Sequence, residues 1–164
     1  PWAREVDSLL YLVHGLDFIP KMRKEIPSLR NIHLVPMTFG SHVVMSMDTD
    51  HKGEIRRALT LALSFVMVKK VVVVDADVDP QDDQEVEWAL ATRFQADRDL
   101  IVIPELRGQP IDPSSRWTGE GFLTTKMGLD ATRPRKEGFE KVDVPEEVRR
   151  RLSPVLKDLM GRIK

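Results

Sequence analysis

Cysteine is absent from the 164 residues, which excludes disulfide bonds, thiolate nucleophiles and cysteine-ligated metals. An excess of charge of one sign is also lacking, since 25 lysines and arginines stand beside 26 aspartates and glutamates. Nucleic-acid-binding domains usually carry a basic surface, so we expect no nucleic-acid partner. No apolar run approaches the roughly 20 residues that a membrane span needs, and no secretory signal opens the chain. We therefore expect a cytoplasmic protein without stable membrane insertion.

The remaining composition is that of an ordinary globular protein. Hydrophobic residues make up 41% of the chain and charged residues 31%, fractions that argue against disorder. A length of 164 residues is enough to bury the core of one domain. The chain begins with Pro1 rather than methionine, so either its start has been processed or, as we expect, it is part of a longer polypeptide.

Hydrophobic periodicity predicts the first elements of an α/β domain. A short N-terminal helix is expected, with Pro20 at its first helical position. Alternating residues then predict strands over 31–37 and 41–48, and Gly40 between them favours a hairpin. Apolar residues at three- and four-residue steps predict an amphipathic helix over 53–68.

A strand–helix–strand pattern follows. Residues 71–74 are four consecutive valines, and a run without polar alternation is typical of a strand buried on both faces in a parallel sheet. A helix is predicted over 83–94 and a second continuous apolar strand over 100–103. Together they predict a parallel βαβ unit with a right-handed crossover.

The second half of the chain is predicted to be less regular. Residues 105–142 are rich in proline and glycine, and such a long loop in a compact domain is usually functional or an interface arm. Pro145 opens a C-terminal helix. The predicted fold is thus one three-layer-like α/β domain with a mixed sheet, a parallel βαβ unit, a long Pro/Gly-rich loop and a C-terminal helix. Its parts are an N-terminal arm and helix (1–30), a sheet core (31–104), the loop (105–142) and the helix (143–164).

Three carboxylates follow the valine strand directly, at Asp75, Asp77 and Asp79. An EF-hand calcium loop would need glycine and glutamate where Pro80 and Val86 stand, so that interpretation fails. The pattern is also similar to aspartyl-phosphate hydrolases of the haloacid dehalogenase type, with Asp75 as nucleophile and Asp77 as acid/base. The structural alternative is that these acids end the strand and begin the next helix. No histidine pair has helical zinc spacing, and we predict no metal site in this chain.

Several blocks of sequence, in this order, resemble the C-terminal domain of UbiD-type decarboxylases. The resemblance covers essentially the whole chain and is most specific between residues 70 and 132. The blocks are KVVVVDADVDP (70–80), EVEWALATR (85–93), DRD (97–99), RGQPIDPS (107–114) and KMGLDAT (126–132).

This resemblance implies a part in a reversible, non-oxidative decarboxylation of an aromatic or α,β-unsaturated carboxylic acid. The family uses prenylated FMN with a divalent metal (Mn or Mg) and K+, bound mainly in upstream flavin-binding domains of the same polypeptide. Its acid/base relay also lies upstream, so no catalytic residue is expected in this chain, which should be inactive alone. The C-terminal domain is expected to form one wall of the substrate cleft and to contribute contacts in a homodimer or hexamer.

Individual residues are carried over from the family where the blocks match. Gln109, Pro110 and Ile111 are the expected substrate-binding residues. Gln109 suggests a polar edge on the substrate, with a solvent-facing glutamine as the alternative. Lys69 and Lys126 are candidates for contacting the cofactor. Lys126 and Asp130 have a structural alternative, in which they pin the loop to the sheet or to a neighbouring subunit.

Two other functions stay open from the sequence alone. The chain could be a non-catalytic assembly or interaction module that uses the fold without chemistry. It could also be the aspartyl-phosphate phosphohydrolase described above, with Asp75 and Asp77 in its site.

Overall fold

A computed structural model describes residues 15–134 and 145–162, the side chains only as far as residue 155 in the second range. These residues form five helices and six strands, and helix α1 occupies residues 15–25. The others are β1 (Leu29–Leu34), β2 (His42–Met47), α2 (Lys52–Ser64), β3 (Lys70–Asp75), α3 (Asp83–Arg93), α4 (Ala96–Asp99), β4 (Leu100–Arg107), β5 (Arg116–Trp117), β6 (Phe122–Ala131) and α5 (Glu146–Arg162).

The six strands form one mixed sheet in the order β1-β2-β3-β6-β4, with β5 paired to the start of β6. The pairs β2–β3 and β3–β6 are parallel, whereas β1–β2, β4–β6 and β5–β6 are antiparallel. The mixed α/β class predicted from the sequence is therefore confirmed. The predicted hairpin is confirmed as β1–β2, with Gly40 in its connection at a φ of 75°.

The parallel βαβ unit exists, but it consists of β2, α2 and β3 rather than of β3, α3 and β4. Strand β4 does not pair with β3; it lies beyond β6 and runs antiparallel to it. The predicted crossover over residues 71–103 was therefore wrong. The reason is that β6, far along the chain, inserts between the two strands and pairs with both.

The predicted loop over residues 105–142 was also largely wrong. This range contains the end of β4, the whole of β5 and the ten-residue central strand β6. The misleading signal was polarity, because one face of β6 carries Thr124, Lys126 and Asp130, all buried and all hydrogen-bonded within the domain. Residues 135–144 of the predicted loop lie outside the described ranges, as do residues 1–14 of the predicted arm.

Two apolar cores lie on opposite faces of the sheet. The larger joins α1 and α2 to the sheet and includes Val71 and Val73. The smaller lies under α3 and includes Val72 and Val74. The four consecutive valines are thus divided between both cores, as the absence of polar alternation predicted.

Strand β4 is less buried than its apolar sequence predicted. Ile101 and Ile103 pack against the larger core, but Leu100 and Val102 on the other face are exposed. An edge position leaves that face uncovered, because α3 lies over β3 and β6 instead. The expectation of a strand buried on both faces was wrong for this segment.

The described helices differ from the predicted ones mainly at their ends. α1 is already helical at residue 15 and continues through Pro20, so Pro20 does not begin it. α5 follows Pro145 as predicted, with Pro154 inside it. None of the helices in the described ranges is long and apolar enough to span a membrane.

Candidate functional site

The loop over residues 108–115 leaves β4 at the end of the sheet where β3 begins. Its backbone is closed by hydrogen bonds from Gly108 N to the Phe122 carbonyl (2.8 Å) and from Ser115 N to the Asp112 carbonyl (3.0 Å). A Cβ at position 108 would stand 2.7 Å from Ser115 Oγ and 3.2 Å from Thr124. The loop can therefore close this tightly only over a glycine.

Asp112 fixes the loop to the rest of the domain. Its carboxylate accepts hydrogen bonds from Lys69 Nζ (2.8 Å), Ser115 Oγ (3.0 Å) and Thr124 Oγ1 (3.3 Å). Burial alone would raise the pKa of this carboxyl, but the Lys69 and serine hydrogen bonds outweigh burial and hold the pKa well below its usual range. The carboxylate thus stays ionised, and the loop is rigidly attached to the residue before β3.

Gln109, Pro110 and Ile111 form a ridge between two hollows. Gln109 is only 7% exposed, and its Nε2 donates to the Met67 carbonyl at 3.4 Å. Ile111 is 50% exposed and points outward. Gln109 and Ile111 line both hollows, whereas Pro110 lines only the larger. The structure therefore brings the three predicted substrate-binding residues together on the wall that separates the two hollows.

The larger hollow has a volume of about 640 Å3 and an aromatic pair at one side. Trp117 and Phe122 belong to a short β5–β6 hairpin, and their ring centroids are 5.0 Å apart. Arg107 lines the same hollow beside Gln109. We did not predict these three residues. The signal available in the sequence was the pair Gly119 and Gly121 between the aromatics, because glycines this close together favour a turn. In the structure Gly119 has a φ of 90°.

The smaller hollow, of about 320 Å3, lies on the other side of the ridge against the β1–β2 connection. Met37 and Phe39 in that connection have φ values of 63° and 51°. Such left-handed backbone is uncommon for residues other than glycine. Lys69 and Asp112 complete its lining.

The two lysines that we considered as cofactor contacts are both engaged inside the domain. Lys69 Nζ binds Asp112 and also Ser114 Oγ. Lys126 is 1% exposed, and its Nζ donates to the carbonyls of Leu63 and Phe65. The burial of Lys126 favours the structural alternative, with the acceptors at the end of α2 rather than in a neighbouring subunit. Its sequence neighbour Asp130 instead pairs with Lys52 at 2.8 Å.

Asp75 and Asp77 are held by a fully buried arginine. Arg93 on α3 binds Asp75 at 2.5 Å and Asp77 at 3.1 and 3.0 Å, and Arg133 N donates to Asp75 at 2.7 Å. Burial raises the pKa of the Asp75 carboxyl, while the Arg93 hydrogen bond lowers that of Asp77. Both carboxylates are thus paired with one buried guanidinium that joins α3 to the end of β3. The geometry therefore favours the structural interpretation of these acids over the phosphohydrolase.

The described residues contain no group of three or more histidine, cysteine, aspartate or glutamate side chains able to hold a metal. His51 instead caps α2, accepting from Glu54 N at Nδ1 (3.3 Å). His42 Nε2 is buried and has no hydrogen-bond partner among the described residues. Burial, and secondarily the charge of Lys70, lowers the His42 pKa to about 4.

Comparison with known proteins defines the class to which this fold and this loop belong. Residues 8–131 match the family described as the 3-octaprenyl-4-hydroxybenzoate carboxy-lyase C-terminal domain, UbiD_C. Because this match covers well over half of the chain, the chain belongs to the UbiD C-terminal domain family.

Curated relatives of the chain are decarboxylases. The chain is 44% identical to anhydromevalonate phosphate decarboxylase of Aeropyrum pernix, over 76% of this chain and 28% of the relative. It is 40% identical to phenolic acid decarboxylase of Bacillus subtilis, over 82% of this chain and 28% of the relative. The chain therefore spans less than a third of the length of these two curated relatives.

Solved structures of UbiD-class enzymes share the fold. HmfF from Pelotomaculum thermopropionicum, in complex with FMN, matches with a TM-score of 0.72 at 37% identity, over 80% of this chain and 30% of that one. The closed form of vanillic acid decarboxylase from Sedimentibacter hydroxybenzoicus matches with a TM-score of 0.69 at 31% identity, over 93% of this chain and 34% of that one. The predicted fold and family are thereby confirmed.

Proposed function

We propose that this chain supplies one wall of the substrate cleft in a prenylated-FMN-dependent carboxy-lyase. The enzyme would reversibly decarboxylate an aromatic or α,β-unsaturated carboxylic acid. The observation that carries the proposal is the ridge of Gln109, Pro110 and Ile111, fixed by Asp112 between two hollows in a UbiD-family domain. A rigid wall beside a hollow, with one polar and one apolar side chain, is suited to orienting a bound acid.

The cofactor would be held mainly by other domains of the polypeptide. Lys69 and Lys126 already bind acceptors within this domain, so the described residues offer no ready cradle for the flavin phosphate. Prenylated FMN, when bound, would supply the electron sink that decarboxylation requires. A divalent Mn or Mg ion and K+ would accompany it there, and the acid/base relay would lie upstream.

The residues of this chain would act by shape and polarity. Ile111 presents apolar surface that excludes water from the cleft. The Gln109 amide, held on the Met67 carbonyl, would keep its oxygen available to a polar edge of the substrate. Neither side chain has an acid or base function in this proposal.

Two classes of substrate are suggested by the relatives. Some relatives are named for anhydromevalonate phosphate and others for phenolic acids. Arg107 and Gln109 line the larger hollow side by side, which favours an acid that carries a second polar or anionic group. We therefore propose an α,β-unsaturated acid with such a group over a wholly apolar aromatic acid.

Contacts between subunits are also proposed for this domain. Leu100 and Val102 on edge strand β4, with Met127 beside them on β6, leave apolar surface exposed. Contiguous exposed apolar surface is common at protein–protein interfaces. This face supports assembly into a homodimer or hexamer. The same observation would suit the non-catalytic assembly module.

The test uses the full-length parent enzyme reconstituted with prenylated FMN. Decarboxylation of a phosphorylated unsaturated acid and of a phenolic acid is measured in wild type and in a Gln109→Leu/Ile111→Ala double variant. We expect the ratio of the two kcat/KM values to change by about tenfold, because wall contacts determine differential binding.

A matched control is Arg150→Gln on α5, which should leave the ratio unchanged because Arg150 is exposed and its ion pair among the described residues is with Glu146 in its own helix. An unchanged ratio in the double variant would show that the ridge does not face the substrate. No decarboxylation of any unsaturated or aromatic acid by the wild type would instead favour the assembly module.

A further inference from the structure

A buried ammonium group from β6 lies against the end of helix α2. Lys126 Nζ donates to the carbonyls of Leu63 (3.0 Å), Phe65 (2.5 Å) and Val66 (3.4 Å). An ammonium has three N–H donors, so these three acceptors use all of them. Burial lowers the pKa of Lys126 to about 8, which leaves it mostly protonated at neutral pH. A buried charge of this kind is maintained only where its donors are satisfied.

The α2 terminus explains why a cation is stable there. The last four carbonyls of an α-helix have no helical donors, and together they form the negative end of the helix dipole. The last turn of α2 contains no basic residue of its own. Lys126, 63 residues away from Leu63 in sequence, therefore supplies both the missing donors and the missing positive charge.

The backbone that Lys126 holds is also the backbone on which the ridge rests. After α2 the chain turns through residues 65–68, and the Phe65 carbonyl accepts from Val68 N (3.2 Å) as well as from Lys126. Met67, inside this turn, is the acceptor for Gln109 Nε2. Val66 and Met67 line the larger hollow beside Gln109. The turn thus lies between the buried cation and the cleft wall.

We propose that Lys126 is a positioning residue for the cleft wall, gathering the carbonyls of the α2 terminus so that the 65–68 turn supports Gln109 in one orientation. Lys126 reaches neither hollow, and its influence on a substrate passes through this turn. That influence rests on the proposed function of the ridge. The ordering of the turn by Lys126 does not.

The structural part is tested on this chain by amide hydrogen exchange at Phe65 and Val68, whose N–H groups bond to the carbonyls of Ala62 and Phe65. In Lys126→Met, which keeps the length of the side chain but removes its donors and charge, we expect both amides to exchange at least about tenfold faster. Central amides of β3 should be unchanged. Lys126→Arg should restore most of the protection, and Lys24→Met, an exposed control on α1, should change nothing.

Wild-type exchange rates at both amides in a folded Lys126→Met chain would overturn the proposal. If that variant does not fold, Lys126→Arg is decisive, because it keeps the cation and its donors. Protection of Phe65 and Val68 in Lys126→Arg supports the proposal. Exchange there as fast as in exposed loops, with the β3 amides still protected in the same variant, contradicts it.

The functional part is tested in the full-length enzyme by separating KM from kcat. Lys126→Met should raise KM about fivefold or more and shift the substrate ratio, with kcat changed less than about twofold, and Lys126→Arg should recover much of the loss. An active Lys126→Met enzyme with wild-type KM and substrate ratio would refute the link to the cleft. A wild-type enzyme without decarboxylase activity would refute the proposed function, while the exchange results would still decide the role of Lys126 in the turn.

Discussion

Arg93 connects the ends of three segments through a single side chain. It extends from the last turn of α3 to Asp75 at the end of β3 and to Asp77 just beyond, and Asp75 also binds the backbone of Arg133 after β6. The Trp88 ring lies 4.8 Å from its guanidinium carbon, a cation–π distance. The buried charge is therefore neutralised by two carboxylates and shielded by an aromatic ring.

Replacing Arg93 should lower the free energy of unfolding substantially. Arg93→Met leaves two partly buried carboxylates with only the longer ion pairs to the half-exposed Arg133, at 3.7 and 3.6 Å. Removing one partner of a buried pair typically costs about 3 to 5 kcal/mol. We expect that loss in the free energy of unfolding, measured by urea denaturation of this chain. The control is Arg30→Met, whose ion pair with Asp48 is exposed at both side chains and should contribute about 0 to 1 kcal/mol. A loss below about 1 kcal/mol in Arg93→Met would show that the cluster is not the buried network described above.

The same side chains mark a limit of sequence interpretation. The DADVD run after a valine strand suggested both a phosphohydrolase site and a strand ending, and nothing local could choose between them. The structure favours the strand ending, because the Arg93 guanidinium, 16 and 18 residues away in sequence, binds both carboxylates. A residue's role here depends on its partner in space.

At the scale of elements, α2 packs on the sheet where β6 has a glycine. A Cβ at Gly128 would lie 3.1 Å from Leu59 Cδ2 and 3.4 Å from Leu63 Cδ1. Lys126 and Asp130, two residues to either side, bond to the two ends of α2 through Leu63 and Lys52. One face of β6 is thus matched to α2 along its whole length.

A larger side chain at position 128 should force α2 away from the sheet. We expect Gly128→Val to lower the free energy of unfolding by about 1 to 3 kcal/mol, the usual cost of overpacking a core. Thermal or urea unfolding of this chain measures the change. The matched control is Gly121→Val just before β6, where a Cβ meets nothing within 4 Å. Equal stabilities of the two variants would contradict close packing of α2 on β6.

Strand β6 is the element that the sequence could not reveal. The hairpin and α2 have regular periods of apolar residues, and both were predicted correctly. The buried face of β6 instead carries threonine, lysine, glycine and aspartate, a pattern typical of an exposed edge or a loop. Its polar groups are satisfied by α2, more than 60 residues earlier in the chain, and by Asp112 in the 108–115 loop, 12 residues before Thr124.

At the scale of the whole molecule, the two hollows beside Gln109 are open, and the proposed role of the chain is that of one wall of a larger cleft. The two lysines considered for the cofactor are already bonded. We therefore expect this chain alone neither to retain flavin through gel filtration nor to decarboxylate an unsaturated or aromatic acid. Absorbance of the protein peak at flavin wavelengths and CO2 release measure the two outcomes.

The full-length parent enzyme with prenylated FMN is the positive control for both measurements. Flavin that co-elutes with the isolated chain would show that it has a cofactor site of its own. Turnover by the isolated chain would place acid/base groups inside it.

The sequence by itself determined the local elements with a regular apolar period and the family, whose blocks depend only on the order of residues. It also placed Gln109, Pro110 and Ile111 together, because they are consecutive. Only the tertiary structure decided that β6 separates β3 from β4. It also decided that Arg93 forms ion pairs with Asp75 and Asp77, and that Lys126 binds the end of α2. The physical reason is common to all three: each is a contact between residues that are distant along the chain, and polar side chains satisfied in this way look, in sequence, like exposed ones.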